Sequence, residues 1–262
     1  MNLTNIVDWE RGALQWSAVL SASRSRDLSL GEESALWPIY GPIVQSALEN
    51  RPYIVGQIGQ SLDGRIATVT NQSHYINGIA ARTHLHRLRA LVDGVVVGVG
   101  TILADDPLLT VRNTEGDHPA RIIIDPRGRV PDDAKCFEDD GVRRIVIQSE
   151  PHHRPVGVEC VQVALSADGL PPQSVISALA DMGLSRLLIE GGAFTLSRFV
   201  ANGCLNRLHI LTGPMIIGSG KMGLQLPEIS ALESALRPKT NTFMLPGGDV
   251  LFDCEFENPK SK

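Results

Sequence analysis

Residues 92–112, VDGVVVGVGTILADDPLLTVR, constrain the fold more than any other stretch of the chain. Val95 to Val99 form an apolar run broken only by Gly98. A valine run bounded by glycine reads as a strand buried on both faces, the kind found in parallel sheets covered by helices. The chain then turns on Gly98, Gly100 and Thr101, sets down two carboxylates at Asp105 and Asp106, and stops at Pro107. It resumes as an apolar strand ending on Arg112. Glycines at the end of a buried strand let a ligand approach the backbone closely. The stretch is therefore expected to form one wall of a ligand cleft.

From Pro52 onward the pattern repeats. Tyr53–Gly59, Ala120–Asp125, Arg144–Gln148, Val158–Leu165 and Arg186–Glu190 read as further strands. Asn77 is placed to cap a helix running to about Val92, with Leu85, Leu88 and Leu91 inward. A second helix spans Pro172–Met182 and closes on Gly183, and a third runs from Gly191-Gly192 to about Asn202. Leu208–Leu211 and residues 215–218 read as extended. Thr242–Leu245 and Val250–Phe256 form a hairpin around Pro246-Gly247-Gly248-Asp249. Strands alternating with helices predict an α/β domain with a mainly parallel central sheet and antiparallel pairing at its end.

Residues 1–51 differ from the rest, since they hold every tryptophan of the chain: Trp9, Trp16 and Trp37. Trp16, Val19 and Leu20 have helical spacing, Trp37-Pro38 and Gly41-Pro42 read as turns, and Ile43–Leu48 as a short helix. The segment is expected to be a helical extension that packs its aromatics on the main domain or on a second subunit. Residues 52–257 then form the catalytic-type domain and 258–262 a tail.

Several classes are argued against. A net charge of −5 disfavours a dedicated nucleic-acid binder, which needs clustered cations. No apolar run has the length of a membrane span, and the N-terminus lacks the pattern of a secretory signal. Cys136, Cys160, Cys204 and Cys254 are isolated, so neither a disulfide framework nor a zinc site is expected, and the thiols read as buried or half-buried in a cytoplasmic protein. No histidine spacing suggests a metal. The zinc-deaminase signature and the nucleophile elbow are both absent.

The glycine turns carry the first chemical signal. Gly98 to Leu103 lacks the third glycine of a dinucleotide fingerprint, and no Walker loop exists. Glu190-Gly191-Gly192-Ala193-Phe194-Thr195-Leu196 lies between a buried strand and a helix N-terminus, where free N–H groups and the helix dipole attract phosphate. Either turn alone is equally well explained as a tight turn. Two of them in one sheet favour a diphosphate held between them. Among the carboxylates, Asp63-Gly64 and Asp106-Pro107 are ordinary turn chemistry. Glu190 follows the apolar Leu187–Ile189, and such a carboxylate meets a ligand hydroxyl or amine, or a buried partner. Arg112 and Arg89 offer guanidinium forks for a phosphate. Arg127, Arg129 and Arg154 follow parallel strands and could hold the 2′-phosphate that separates NADP from NAD.

The blocks VGQIGQSLDGRIAT, SHYINGIAARTHLHRLRALVDGVVVGVGTILADDPLLTVR, RIIIDPRGRVP and LLIEGGAFTLSRFVANGCLNRLHILTGPMIIG resemble the reductase domain of riboflavin-biosynthesis deaminase/reductases and the related stand-alone diaminopyrimidine reductases. The resemblance spans roughly residues 52–256. It implies a dihydrofolate-reductase-like fold, NADPH as cofactor, a homodimer, and reduction of the ribosyl side chain of a phosphorylated aminopyrimidine to a ribityl chain. It places Gly59, Tyr75, Thr101, Asp105 and the segment Gly192, Ala193, Phe194, Thr195 and Leu196 at the cofactor, to which the glycine turns themselves add Gly100 and Gly191, and the cations after the parallel strands add Arg127. It places Ser73, Arg89, Leu109, Arg112 and Glu190 at the substrate, the two arginines on its 5′-phosphate. Gln57, Asp63 and Glu190 are the candidate catalytic positions.

Three departures qualify the match. Gln57 stands where bifunctional enzymes carry a lysine, which leaves the ring open between a uracil and a diaminopyrimidinone. Pro126 replaces the serine that usually contacts the adenosine phosphate, so Arg127 or Arg154 is expected to take its place. The N-terminal segment is not a deaminase domain, so a separate deaminase is expected. Two further readings stand beside the riboflavin reductase: a reductase of the same fold acting on a pterin or a specialised metabolite, and a non-catalytic NADP(H)-binding module.

Overall fold

The computed structural model describes residues 5–6, 12–49 and 52–256. In chain order the elements are β1 (Asn5–Ile6), α1 (Gly12–Ser25), α2 (Ser29–Glu32), α3 (Trp37–Ser46), β2 (Tyr53–Ser61), β3 (Arg65–Ala67), α4 (Ile79–Leu91), β4 (Gly94–Gly98) and α5 (Val99–Asp105). There follow β5 (Ala120–Ile124), β6 (Arg144–Gln148), β7 (Val158–Gln162), α6 (Pro172–Asp181), β8 (Arg186–Glu190), α7 (Ala193–Ala201), β9 (Arg207–Gly213), β10 (Lys221–Met222), β11 (Lys239–Met244) and β12 (Val250–Glu255).

The main sheet has the order β1-β11-β12-β9-β2-β8-β4-β5-β6-β7, and β3 and β10 make a small antiparallel pair. From β9 to β7 every pairing is parallel. The hairpin β11–β12 attaches antiparallel to β9. The architecture is thus the α/β class expected, with a mainly parallel sheet and an antiparallel C-terminal hairpin.

Alternate strand residues feed two cores. Val55, Val95, Val97, Ile123, Val146 and Leu188 lie under α1, α3 and α4, in one cluster with Trp16, Ile39, Tyr40, Leu88 and Leu91. Ile54, Ile58, Val96, Ile122, Ile145 and Ile189 lie under α6 and α7, with Val175, Leu179, Leu196 and Phe199. Of the two expectations for the N-terminal segment, packing on the main domain is what the structure shows for Trp16 and Tyr40. Trp9, residues 50–51 and the 258–262 tail lie outside the described residues. The chain builds outward from β2 to β4 and on to β7, then returns to insert β8 between β2 and β4. Crevices at the carboxyl ends of such strands are where open α/β sheets hold ligands.

Several local expectations change. The turn at Gly98 leads straight from β4 into a helix that takes in Gly100 and Thr101. Gly98 is the extended N-cap of α5, and Asp106 ends that helix in the left-handed region at φ 39°. Residues 106–112 form no strand, because left-handed backbone at Asp106 and Leu109 (φ 57°) breaks the extended path. The helix at 37–46 replaces the turns expected at its prolines. Pro38 sits in its first turn, where a missing N–H costs nothing. Pro42 cannot donate to the Pro38 carbonyl, and the Arg207 guanidinium takes that oxygen instead at 3.4 Å. Gly78, not Asn77, caps α4. The fourth strand ends at Gln162 rather than Leu165, residues 215–218 join no strand, and Cys160 is exposed.

Candidate active site

Gln57 and Glu190 are register partners on β2 and β8. They follow Val55 and Leu188 in alternation, so both belong to the face covered by α4. Arg89, in the last turn of α4, meets Glu190 through two parallel bonds: Nε to Oε2 at 2.8 Å and Nη2 to Oε1 at 2.5 Å. Its Nη1 donates to the Thr110 carbonyl at 2.7 Å. The two side chains are 5% and 12% exposed. Of the partners anticipated for Glu190, the structure supplies the buried one. Arg89 is committed to Glu190 and Thr110 and does not present a free fork, contrary to the expectation that both arginines clamp a phosphate.

Arg112 is the arginine left open. Its guanidinium is exposed, donates to Thr110 Oγ1 at 3.1 Å, and makes no ion pair among the described residues. Partial burial and then the neighbouring Arg89 push its pKa down, against the pull of Glu190. Two imidazoles hold the backbone here. His86 Nδ1 accepts the Arg112 N–H at 3.0 Å, and His118 Nδ1 accepts the Val111 N–H at 3.2 Å. Neither histidine was singled out from the sequence. A usable signal existed, since His86 and Arg89 stand three residues apart on one helix face.

The amide of Gln57 is only 6% exposed, yet it has no hydrogen-bond partner among the described residues and is not sealed from solvent. It borders the same cluster. Leu109 is 1% exposed and belongs to the core, so only its backbone can meet a ligand. Asp63 has another task. Its carboxylate accepts Ser61 Oγ at 2.6 Å and the N–H groups of Ile217 and Gly218 at 3.0 and 2.7 Å. The Ser61 hydroxyl first, then those amides, lower its pKa to about 2. It clamps the 215–218 loop and stays ionised, which is the turn chemistry its Asp-Gly pair suggested rather than acid–base work.

The two glycine turns do come together. A Cβ on Gly192 would stand 2.9 Å from Thr101 Oγ1, and one on Gly98 would stand 2.3 Å from Thr195 Oγ1. Gly191 and Gly192 have φ of 64° and 62°, a conformation that favours glycine. The N-termini of α5 and α7 therefore open side by side. Ala193 is half-buried and Phe194 exposed at this rim, while Leu196 is fully buried against Gly56 and supports the turn from behind. Gly100 and Asp105 are exposed on α5. Asp106 is its C-cap corner, accepting Lys135 N at 2.9 Å.

Gly59 is closed off by Asn77 Oδ1, which would stand 2.1 Å from an added Cβ. Asn77 in turn bonds the Leu211 carbonyl and Asp249. Tyr75 is exposed, lies under the Arg82 guanidinium at 4.5 Å, and opens on a cleft of ≈ 300 Å³ with Pro214, Met215 and Asp249. Ser73 is half-buried on the same loop. Arg82 and Arg89 are seven residues apart, about 10 Å along the helix axis, so the structure does not gather Tyr75 and Glu190 at one point. Beyond β5, Arg154 is spent on Asp125 at 2.9 Å, with side-chain exposures of 3% and 0%. Burial alone would raise the Asp125 carboxyl. Backbone donors at Arg129 and Val130 and the Arg154 guanidinium outweigh it and hold the group below its usual range. Arg154 is therefore not available to a 2′-phosphate, whereas Arg127 and Arg129 remain exposed.

A parallel α/β sheet with paired glycine turns and an Arg-rich rim at its carboxyl ends defines a class of nucleotide-type ligand sites. Residues 52–243 match the RibD C-terminal domain, and the chain belongs to that family. The RibD riboflavin biosynthesis protein of Aquifex aeolicus is 35% identical over 206 residues, covering 78% of this chain and 57% of that protein. The 2,5-diamino-6-ribosylamino-4(3H)-pyrimidinone 5′-phosphate reductase of Methanothermobacter thermautotrophicus is 32% identical over 174 residues, covering 64% of this chain and 80% of that protein. RibD of Acinetobacter baumannii superposes with a TM-score of 0.70 at 25% identity, covering 85% of this chain and 63% of that one. A riboflavin biosynthesis reductase of Saccharomyces cerevisiae gives 0.64 at 23% identity, covering 79% and 91%. The chain spans about three-fifths of the length of the first curated relatives it matches, 62% and 57%. Among the described residues no helix is long and apolar enough to cross a membrane.

Proposed function

We propose that the chain is an NADPH-dependent reductase of riboflavin biosynthesis, converting the ribosylamino side chain of a 5′-phosphorylated aminopyrimidine to ribitylamino. The observation that carries this reading is the Arg89–Glu190 pair set beside an unpaired Arg112, next to two glycine turns that a Cβ would fill. The turn at Gly191-Gly192, at the start of α7, offers backbone N–H groups to a diphosphate. Thr101 and Ala193 flank it, and Arg127 is free for the 2′-phosphate. NADPH, when bound, supplies the hydride. The chain's own work is orientation. Arg89 holds Glu190 in a single rotamer, so its carboxylate is pre-set toward a sugar hydroxyl. Gln57 offers an unpaired amide to the ring, and Arg112 takes the 5′-phosphate. Homodimer assembly and a cytoplasmic setting go with this reading.

The test is NADPH oxidation by the pure protein with the uracil and the diaminopyrimidinone ribosyl phosphates side by side. Turnover of one or both is expected, and the ratio of kcat/KM reads the preference of Gln57. Turnover of neither would sink the reading.

A further inference from the structure

Between α5 and β5 the chain runs through residues 107–119 without regular structure. Among the described residues this loop enters no backbone–backbone hydrogen bond, so side chains hold it. Such loops move unless they are tied down, and this one carries Arg112. The Arg112 amide is tied to His86. Beyond it, the bends at 113–116 are tied from a distant part of the sequence. Trp16, on α1, donates its indole N–H to the Glu115 carbonyl at 2.9 Å. Gly116 (φ 141°) lies so close to α4 that an added Cβ would stand 2.4 Å from Ala90 Cβ, and 3.9 Å from Leu20 Cδ1 on α1. Arg24 adds an ion pair to Asp117 at 3.3 Å, but both side chains are exposed and screening leaves it little weight.

The indole itself is held in place. It is 2% exposed. Tyr40 meets its ring edge-on at a centroid distance of 5.4 Å. The Arg87 guanidinium lies 5.4 Å over the same ring and donates to the Gly12 carbonyl. An indole has one polar atom, a donor. Here that donor reaches a carbonyl three residues past Arg112. Filling the core takes only an aromatic ring, whereas the N–H makes a tether.

We propose that Trp16 is a positioning residue for the phosphate arginine: its indole N–H, donated to the Glu115 carbonyl, fixes the loop that presents Arg112, so that a helix of the N-terminal segment belongs to the substrate site. This inference rests on the reading of Arg112 as the phosphate anchor.

The substitution Trp16→Phe keeps an aromatic ring in the core and deletes the tether. Ile39→Ala is its control, since it removes volume from the same cluster and leaves the tether in place. Phosphate affinity is read with inorganic phosphate on the full chain by ³¹P NMR, and KM with whichever pyrimidine phosphate is turned over. W16F is expected to weaken phosphate binding and raise that KM about fivefold, the scale of one neutral hydrogen bond. Its kcat and its KM for NADPH should not change. I39A should lower the melting temperature and move neither phosphate affinity nor KM. The decisive measurement is the double variant. If Trp16 acts through Arg112, W16F adds nothing in an R112A chain, whereas a merely structural residue costs the same in both backgrounds. Unchanged affinity and KM in W16F, an equal loss in I39A, or losses that multiply in the double variant overturn the inference. If W16F does not fold, the wild-type chain decides: hydrogen exchange at the Trp16 indole N–H must slow when phosphate is added, because coupling is reciprocal, and unchanged exchange overturns it. Phosphate binding that depends on Trp16 through Arg112 in a chain that reduces neither pyrimidine sinks the proposed activity and leaves this inference standing. Turnover indifferent to Trp16 sinks this inference alone. A wild-type chain that neither binds phosphate nor turns over a pyrimidine phosphate sinks both.

Discussion

Beneath α6 and α7 the strands present Ile54, Ile58, Val96, Ile122, Ile145 and Ile189, and the helices answer with leucine, valine and phenylalanine. Beneath α1, α3 and α4 the same strands alternate valine with buried charge: Arg121, Arg144, Arg207, His209 and Asp253 all fall on this second face. Here Tyr40 Oη meets His84 Nδ1 at 2.7 Å, His84 Nε2 meets His209 Nδ1 at 3.0 Å, and Asp253 lies 3.2 Å from His209 and 2.9 Å from Arg207. Glu190, Arg89 and Gln57 continue the polar side toward the crevice. The first face gains stability from apolar burial at little risk. The second gives up some of that gain to desolvation, because a buried ion pair seldom outperforms a packed apolar one. What it obtains is a set of side chains with fixed directions, which is what a site needs.

The two faces respond differently to substitution and to pH. Arg89→Ala leaves Glu190 buried without its partner and should cost about 4 kcal/mol of stability, the scale for breaking a buried pair. Urea unfolding reads it, and a loss below 1 kcal/mol would show that the polar face is softer than described. Leu187→Ala, on the apolar face, should cost about 3 kcal/mol through the cavity it leaves. KM values should stay unchanged, and a moved KM would erase the division between the faces. Arg112→Ala should do the reverse, raising KM for the phosphorylated substrate by about 2 kcal/mol equivalent at nearly constant melting temperature.

The smallest effect is the dependence on pH. Burial, then His209 and Arg87, hold His84 well below the usual imidazole range, and His86 lies at about 4. The unfolded chain binds these protons near pH 6.5, so stability is complete above that value and falls as pH drops below it. The urea midpoint should decline between pH 7 and 5. A flat profile would show that the polar face carries no buried neutral imidazoles.

The sheet was readable in the sequence because its strands are continuous runs of Val, Ile and Leu, as in Val95–Val97 and Leu187–Ile189. The helix at 99–105 was not, because seven residues between a glycine and a proline are too few to show a period. Leu108 to Val111 mimicked a strand, since apolar composition does not report the left-handed backbone at Leu109. Prolines at 38 and 42 masked a helix, because the group that relieves Pro42 is an arginine from β9, distant in sequence. The site was legible where residue type is diagnostic, in Glu190, the arginines and the glycine turns. It was illegible where a role depends on which partner a side chain finds. Arg89 and Arg154 look like free cations in one dimension and are spent in three, and His86 looks idle until the Arg112 amide is placed on it.

β8 sits between β2 and β4 but is synthesised long after both. Until it emerges, two central strands of the growing chain have open edges facing each other across a gap, a state that invites misassembly. Pairing at such sequence separation is also slow. The strand that fills the gap ends in Glu190-Gly191-Gly192. The step that fills the gap between β2 and β4 is therefore also the step that brings Glu190 to Arg89 and the second glycine turn to the first.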